Sequence, residues 1–285
     1  MSKLEDMITT DVIEQYREDG VVHMPQALEP EWLMLIELGI QRILNNSSPY
    51  KQWFFEGLDG QFLDAVRHFD VTPEFQRFIY DSPIADAMAK LLDSRDIWLL
   101  FDHVFVKEGG ACRRTPWHQD LPYWPTEGEK IGSMWITIDP IPKSQCLEFI
   151  PGSHKGTMYD GFNPADADSD VTAGFYGKDL PRLPDIESER DEWNIVSFDI
   201  QPGDVVLLHP GVLHGGGQTE GDTRRRTLSV RMYGDDIVLG TRPDSRPTVP
   251  LTPGLTTYLK PGDPLRSPYY AKLRPLPEEV VGLWR

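Results

Sequence analysis

Hydrophobic and polar positions keep a helical rhythm along this chain as far as Leu92 and a strand-like one from Ile97 onward. Asp11-Val12-Ile13-Glu14 reads as an Asp cap with a glutamate three residues on, opening a short helix that Gly20 stops. Val21-Val22-His23-Met24 reads as a brief strand. Pro30 opens a second helix with Leu33, Ile36, Ile40, Ile43 and Leu44 at helical spacing, and Asn45 to Pro49 mark its end. Another helix is expected near Pro73. Ser82-Pro83 caps a further one carrying Ile84, Ala87, Met88, Leu91 and Leu92. From Ile97 the predicted elements are short strands at 97–101, 104–106, 134–138, 147–150, 205–208 and 227–233, separated by glycine and proline turns. Residues 156–195 are Asp-rich, lack apolar periodicity and are long for a routine connection, which predicts a mobile lid. The proline-rich stretch after Thr241 is expected to wrap the surface. Helices followed by many short strands predict a β-sandwich or jelly roll flanked by helices. With no internal repeat and no linker, the expectation is a single domain over 1–285. Its parts are a helical region at about 8–95, a β core at about 96–235 and a C-terminal wrap at about 236–285.

Composition narrows the partners more than the fold. A formal net charge of −17 argues against a nucleic-acid surface and against an anionic membrane. No apolar run is long enough to span a bilayer, and Met1 to Asp6 has no signal-type apolar segment behind it. Cys112 and Cys146, the only cysteines, lack metal-finger spacing and are expected to be free thiols in a reducing compartment, with the cytoplasm as the default.

The candidate chemistry starts at Trp117-His118-Gln119-Asp120. In an extended strand, residues two apart share a face, so His118 and Asp120 can aim an imidazole and a carboxylate at one atom. Such a pair supplies two legs of a 2-His-1-carboxylate triad, which leaves positions open on a non-haem Fe(II). A third leg is offered by His209-Pro210-Gly211-Val212-Leu213-His214-Gly215. His209 and His214 are rivals for it, and the glycines after His214, which let backbone and small molecules approach closely, favour His214. Downstream, Arg224-Arg225-Arg226 runs straight into a strand. Alternation puts Arg225, Thr227, Ser229 and Arg231 on one face and Leu228 and Val230 on the other, with Arg224 and Arg226 assigned to the second set. An arginine pointing into a β core is costly unless it meets an anion, and its fork suits a carboxylate. Arg231 is expected to meet an anionic group of the substrate or to pair with a buried acid. Trp117 and Tyr123, which flank the His118–Asp120 pair, are candidate substrate contacts.

Four stretches together resemble the phytanoyl-CoA dioxygenase family of Fe(II)/2-oxoglutarate-dependent oxygenases. They are Tyr16 to Pro25; Trp117-His118-Gln119-Asp120; Leu147-Glu148-Phe149-Ile150-Pro151-Gly152-Ser153-His154-Lys155; and Gly203 through His214-Gly215 to Arg225. They span nearly the whole chain in the family's order. The resemblance implies a double-stranded β-helix (a cupin-like jelly roll) with flanking helices. It implies Fe(II) held by His118, Asp120 and His214, and 2-oxoglutarate held by Arg225, with Gln119 and Trp135 in the same pocket. O2 and a small organic substrate are the implied reactants, and hydroxylation with release of succinate and CO2 the implied outcome. Cys146 stands where the family usually has glycine, which bears on a local turn. Asp120 disfavours the halogenating variant of this chemistry, in which the ligand carboxylate is replaced by a small residue.

Two other classes fit parts of the pattern. A cupin-like metalloenzyme that does not use oxoglutarate needs the triad but not Arg225. A non-catalytic ligand-binding β-sandwich needs neither.

Overall fold

The computed structural model describes residues 2–54, 60–161, 180–241 and 255–281. Two short helices lead the chain, α1 (Lys3–Met7) and α2 (Thr10–Asp19). The cap expected at Asp11 sits earlier, at Thr9, whose hydroxyl accepts from the Val12 N–H at 3.3 Å; Asp11 lies inside the first turn, where its charge suits the helix dipole. Gly20 ends α2 in the left-handed conformation, φ 71°, and the chain enters β1 (Val21–Met24). Three longer helices follow, α3 (Pro30–Asn45), α4 (Pro73–Asp81) and α5 (Ile84–Leu91), the first two with proline in the first turn.

The remaining strands are β2 (Lys51–Phe54), β3 (Gln61–Val66), β4 (Ile97–Glu108), β5 (Thr115–His118), β6 (Thr126–Glu127), β7 (Ile131–Thr137), β8 (Leu147–Ile150), β9 (Val196–Ser197), β10 (Val205–Leu208), β11 (Leu213–Gly216), β12 (Arg225–Tyr233), β13 (Val238–Leu239) and β14 (Lys272–Arg274). The large sheet runs β1-β10-β7-β12-β4-β3-β2, with β14 also paired to β4. A small sheet runs β5-β11-β8-β9, and β6 pairs with β13. Every pairing is antiparallel. The two strands expected at 97–101 and 104–106 are one, β4, because Asp102 and His103 continue the ladder opposite Val230 and Ser229.

Strand alternation divides the large sheet into two buried faces of opposite chemistry. Leu228, Val230 and Met232 of β12, Met134 and Ile136 of β7, Val104 and Val106 of β4 and Val205 and Leu207 of β10 join one apolar core with α3, α4 and α5. The helices lie close there: a Cβ added to Gly39 of α3 would come within 2.3 Å of the Phe75 ring of α4. The opposite face carries Arg225, Thr227, Ser229 and Arg231 of β12, with Ser133, Trp135 and Thr137 of β7 and His103 and Lys107 of β4 as cross-strand neighbours. This polar face looks toward the small sheet, since Trp135, Val206 and Leu208 pack with Leu147, Phe149 and Val212.

Of the segment expected to be a mobile lid, residues 162–179 lie outside the described residues. The described remainder is packed: Ile186, Leu183, Trp193 and Ile195 cover Trp117, Ile150 and Leu213 on the outer face of the small sheet. Its apolar residues are irregularly spaced because they seat a loop on a sheet, which leaves no periodic signal. Part of the proline-rich tail also departs from a surface wrap. Its β14 extends the large sheet beside Trp98, while Leu265 and Tyr270 pack with Tyr233; residues 242–254 of that tail are outside the described set.

The α3–α4 approach makes a stability prediction. Gly39→Leu overpacks the helix layer and should destabilise the protein by about 1–3 kcal/mol in urea unfolding followed by circular dichroism; unchanged stability would show that Phe75 can move aside.

Candidate active site

The pairing of β5 with β11 sets His118 directly opposite His214. Their ring centroids are 4.2 Å apart. Gly215 permits this close approach, because a Cβ there would stand 3.0–3.1 Å from the backbone of Thr115 and Trp117. Asp120 does not sit in the same strand, as an extended His-x-Asp would. The strand ends at His118, and Asp120 adopts φ −73°, ψ −35° at the start of a 3-10 turn over Leu121–Tyr123. The bend still turns the carboxylate inward, with Oδ1 3.6 Å from His118 Nε2. One donor atom from each of His118, Asp120 and His214 lies within 4.8 Å of the others.

Each imidazole is oriented by its own strand. His118 Nδ1 is 2.8 Å from the Pro116 carbonyl and His214 Nδ1 is 2.9 Å from the Val212 carbonyl. A carbonyl only accepts, so both Nδ1 atoms carry the proton and both Nε2 lone pairs are directed at the cluster. Burial, with the neighbouring His118, pushes His214 down to about 4, so it is neutral near pH 7. Burial by itself would raise the Asp120 carboxyl, but the neighbouring Arg231 guanidinium holds it below the usual carboxylate range. Two neutral imidazoles and one carboxylate are the ligand types that Fe(II) takes in a facial triad. His209 stands apart: its Nδ1 accepts from the Gly211 N–H, and its ring lies 4.8 Å from His154.

Arg225 is 4% exposed, and burial lowers its pKa to about 10, which leaves it a cation. Nη1 donates to the Gln145 carbonyl at 3.2 Å, and Nε has no partner. Among the described residues no carboxylate pairs with it. Room for the side chain comes from Gly217, φ 70°, where a Cβ would fall 2.2 Å from Nη1. The other two arginines of the run are satisfied elsewhere: Arg224 pairs with Glu108 at 2.7 Å, and Arg226 with Asp139 at 2.6 Å and Glu37 of α3 at 2.8 Å. Arg231 faces the interior, and its Nη2 lies 3.5 Å from Asp120 Oδ2, so it meets the acid of the triad itself.

The other sequence candidates fall in different places. Trp135 is on the interior face of β7, opposite Ser229 and Val206. The Gln119 amide is engaged with loops: it donates to the Gly211 and Thr157 carbonyls and accepts from the Tyr159 N–H. These contacts clamp the turn before His214 and do not point it toward a ligand. Trp117 is turned away from the cluster, because it alternates with His118; it packs on the outer face of the small sheet and donates to Glu187 at 2.5 Å. Tyr123 has its ring 6.5 Å from His118 but belongs to the apolar cluster with Trp98 and Tyr233. One residue was missed. Lys107, 2% exposed, lies opposite Arg225 and donates to the Arg113 and Gly217 carbonyls. Burial, and then Arg225, depress its pKa. A lysine on the polar parity of β4 was the available signal.

The family model for phytanoyl-CoA dioxygenase (PhyH) matches residues 16–227. A probable phytanoyl-CoA dioxygenase of Caenorhabditis elegans is 28% identical over 131 residues, covering 45% of this chain and 39% of that protein. The human peroxisomal phytanoyl-CoA dioxygenase is 29% identical over 130 residues, covering 45% of this chain and 36% of its own length. The matched stretch is thus well under half of either relative. Among solved structures, the non-heme alpha-ketoglutarate-dependent carbocyclase SnoK from nogalamycin biosynthesis superposes with a TM-score of 0.72 at 19% identity, covering 96% of this chain and 99% of its own. EctD from S. alaskensis with 2-oxoglutarate and 5-hydroxyectoine gives 0.63 at 17% identity, covering 91% and 89%. The shared fold is the double-stranded β-helix.

Losing an outer partner of a metal ligand typically costs 10–100-fold in affinity, so His214→Ala should lower Mn(II) or Fe(II) affinity by at least about a hundredfold. His209→Ala should leave it unchanged. Metal titration followed by electron paramagnetic resonance of Mn(II) reads both, and the reverse pattern would move the third leg to His209.

Proposed function

This chain belongs to the phytanoyl-CoA dioxygenase family, and on that premise we propose that it is an Fe(II)/2-oxoglutarate-dependent dioxygenase that hydroxylates a small organic molecule, with release of succinate and CO2. One observation carries the reading: Arg225, a buried guanidinium on the face that looks toward His118, Asp120 and His214, has among the described residues no partner for Nε and no carboxylate beside it. A charge so placed is stable only with an anion, and a dicarboxylate that also reaches the triad meets that need. The rival readings, a metalloenzyme without oxoglutarate and a non-catalytic sandwich, leave that charge unexplained.

His118, Asp120 and His214 would hold the iron, and Arg225 the far carboxylate of oxoglutarate, with Lys107 beside it tied to the Arg113 and Gly217 carbonyls. When bound, the metal and oxoglutarate supply the oxidising power that O2 alone lacks for attack on a C–H bond. The chain's own groups prepare the site. The Pro116 and Val212 carbonyls fix both imidazole tautomers before any metal arrives. Arg231 keeps Asp120 ionised. Trp135, Phe149, Val206 and Leu208 form a dry wall between the sheets, which strengthens the Arg225–carboxylate attraction by excluding water. Gln119 clamps the loop at 157–159 to the turn at Gly211, and so steadies the entry to β11. Both sheets contribute to the site, which supports a single working domain. The two buried free thiols, Cys112 and Cys146, support a reducing compartment such as the cytoplasm.

The test is conversion of oxoglutarate to succinate by the purified, iron-loaded protein in air. Turnover should require Fe(II) and vanish in Asp120→Ala; neither turnover nor oxoglutarate binding would end the reading. A charge-assisted contact of this kind is worth roughly 1.5–3 kcal/mol, so Arg225→Ala should weaken oxoglutarate by about ten- to a hundredfold. Arg224→Ala, which breaks only a half-exposed pair with Glu108, should leave it within about twofold. Calorimetric titration of both variants with oxoglutarate checks the strand parity, and a loss confined to Arg224→Ala would place the register one residue out.

A further inference from the structure

The polar face of β12 has a second end, which oxoglutarate bound at Arg225 does not fill. Arg231 lies about 20 Å from Arg225 along the strand, at roughly 3.4 Å per residue. The residue is 6% exposed, and among the described residues Nε and Nη1, both buried, have no hydrogen-bond partner. The remaining nitrogen, Nη2, reaches Asp120 Oδ2 only at a long 3.5 Å. Ser133, 1% exposed, is the cross-strand neighbour of Arg231 on β7, and its Oγ is also without a partner. Two side chains opposite each other on one face of an antiparallel pair are adjacent, so these orphaned groups form one patch. Its walls are aromatic: the guanidinium carbon lies 4.7 Å from the Phe101 ring and 5.5 Å from the Trp124 ring, and those rings meet edge to face.

A satisfied structural pair would look different. Asp102, also fully buried, accepts from the His68 and Phe69 N–H groups at 3.0 and 2.9 Å and is tied into the backbone. Arg226 spends its guanidinium on Asp139 and Glu37. Arg231 keeps two nitrogens idle beside an idle hydroxyl, against Asp120 of the triad, in a setting where an unmade hydrogen bond is costly.

We propose that Arg231 and Ser133 form the subsite that recognises the primary substrate, by taking the carboxylate of an organic monocarboxylic acid while Phe101 and Trp124 pack its carbon skeleton. The proposal rests on the oxygenase reading and names the substrate class for it. Asp120 already lies 3.5 Å from the guanidinium, so a multiply charged thioester or phosphate meets more repulsion at this site than a monoacid does.

The probes are 4-fluorophenylacetate, its neutral amide and 4-fluorophenyl phosphate, observed by fluorine NMR with Mn(II)-loaded protein at saturating oxoglutarate. Line broadening by Mn(II) reports binding beside the metal, and the occupied oxoglutarate site cannot take the probe. The acid should bind about tenfold or more tightly than the amide, the difference expected when buried donors lose a charged acceptor, and more tightly than the phosphate, whose extra charge faces Asp120. Arg231→Met should abolish that binding. Ser133→Ala, which leaves the Arg231–Asp120 contact intact, should weaken it about threefold to tenfold by removal of one hydrogen bond. Ser133→Ala should keep oxoglutarate affinity near the wild-type value. Equal binding of acid and amide, no broadening in the wild type, or full binding in Ser133→Ala and Arg231→Met would overturn the subsite. Loss of Mn(II) in Arg231→Met with undiminished probe binding in Ser133→Ala would also overturn it, since Arg231 would then serve Asp120 alone. Failure of the wild type to bind oxoglutarate is a separate result, and sinks the oxygenase reading instead.

Discussion

The strand β12 must bury both of its faces, and the two demand opposite surroundings. Leu228, Val230 and Met232 need hydrocarbon and find it under α3, α4 and α5. Arg225, Thr227, Ser229 and Arg231 need polar partners and are nonetheless enclosed by the small sheet. The helix layer is therefore more than packing, because hydrophobic burial on one face offsets the cost of sequestering charge on the other. A sheet with an ordinary core on both sides would be more stable and would have no place for a dicarboxylate.

The metal-ligand cluster depends on that enclosure and on one register. His118 and His214 meet because β5 and β11 pair with these two residues opposite each other, and a slip of one strand by one position would turn its ring out of the sandwich. Asp120 comes from the bend that follows, so its place depends on contacts beyond the strand: the Arg231 guanidinium on one side and the Gln119 clamp next to it. The site is thus held from three directions, by a ladder, by a buried cation and by a loop clamp. Its geometry exists before any metal binds, as preorganised metal sites require.

The sequence showed what alternation can show. Leu228 and Val230 against Arg225 and Arg231 is a period-two pattern, and the structure places those residues on the expected faces. It also brings His118, Asp120 and His214 together and leaves His209 apart, although the extended His-x-Asp geometry inferred for the pair fails at Asp120. Trp117 was a candidate only for flanking the His118–Asp120 pair, and the alternation that worked for β12 turns it outward: a neighbour of His118 in a strand must face the other way. Gln119 and Lys107 were illegible for another reason. Their partners are remote in sequence, the Gly211 carbonyl for one and Arg225 for the other, so parity on β4 marks Lys107 as facing the polar side without naming what it meets. The segment at 180–195 looked like a lid because Ile186, Trp193 and Ile195 seat a loop, which follows the surface it covers and has no period. The early strands β2 and β3 were hidden among helices for want of a strong alternation.

The proposed function requires that the buried triad and the buried Arg225, which has no carboxylate partner among the described residues, together make one site for Fe(II) and oxoglutarate. The most direct test is visible absorption of the protein under anaerobic conditions as Fe(II) and then oxoglutarate are added. A weak charge-transfer band that needs both additions is expected, since only chelation of the iron by oxoglutarate within the site produces it. A spectrum that stays flat, although metal and oxoglutarate are each shown to bind, would place them in separate sites and rule out a shared one.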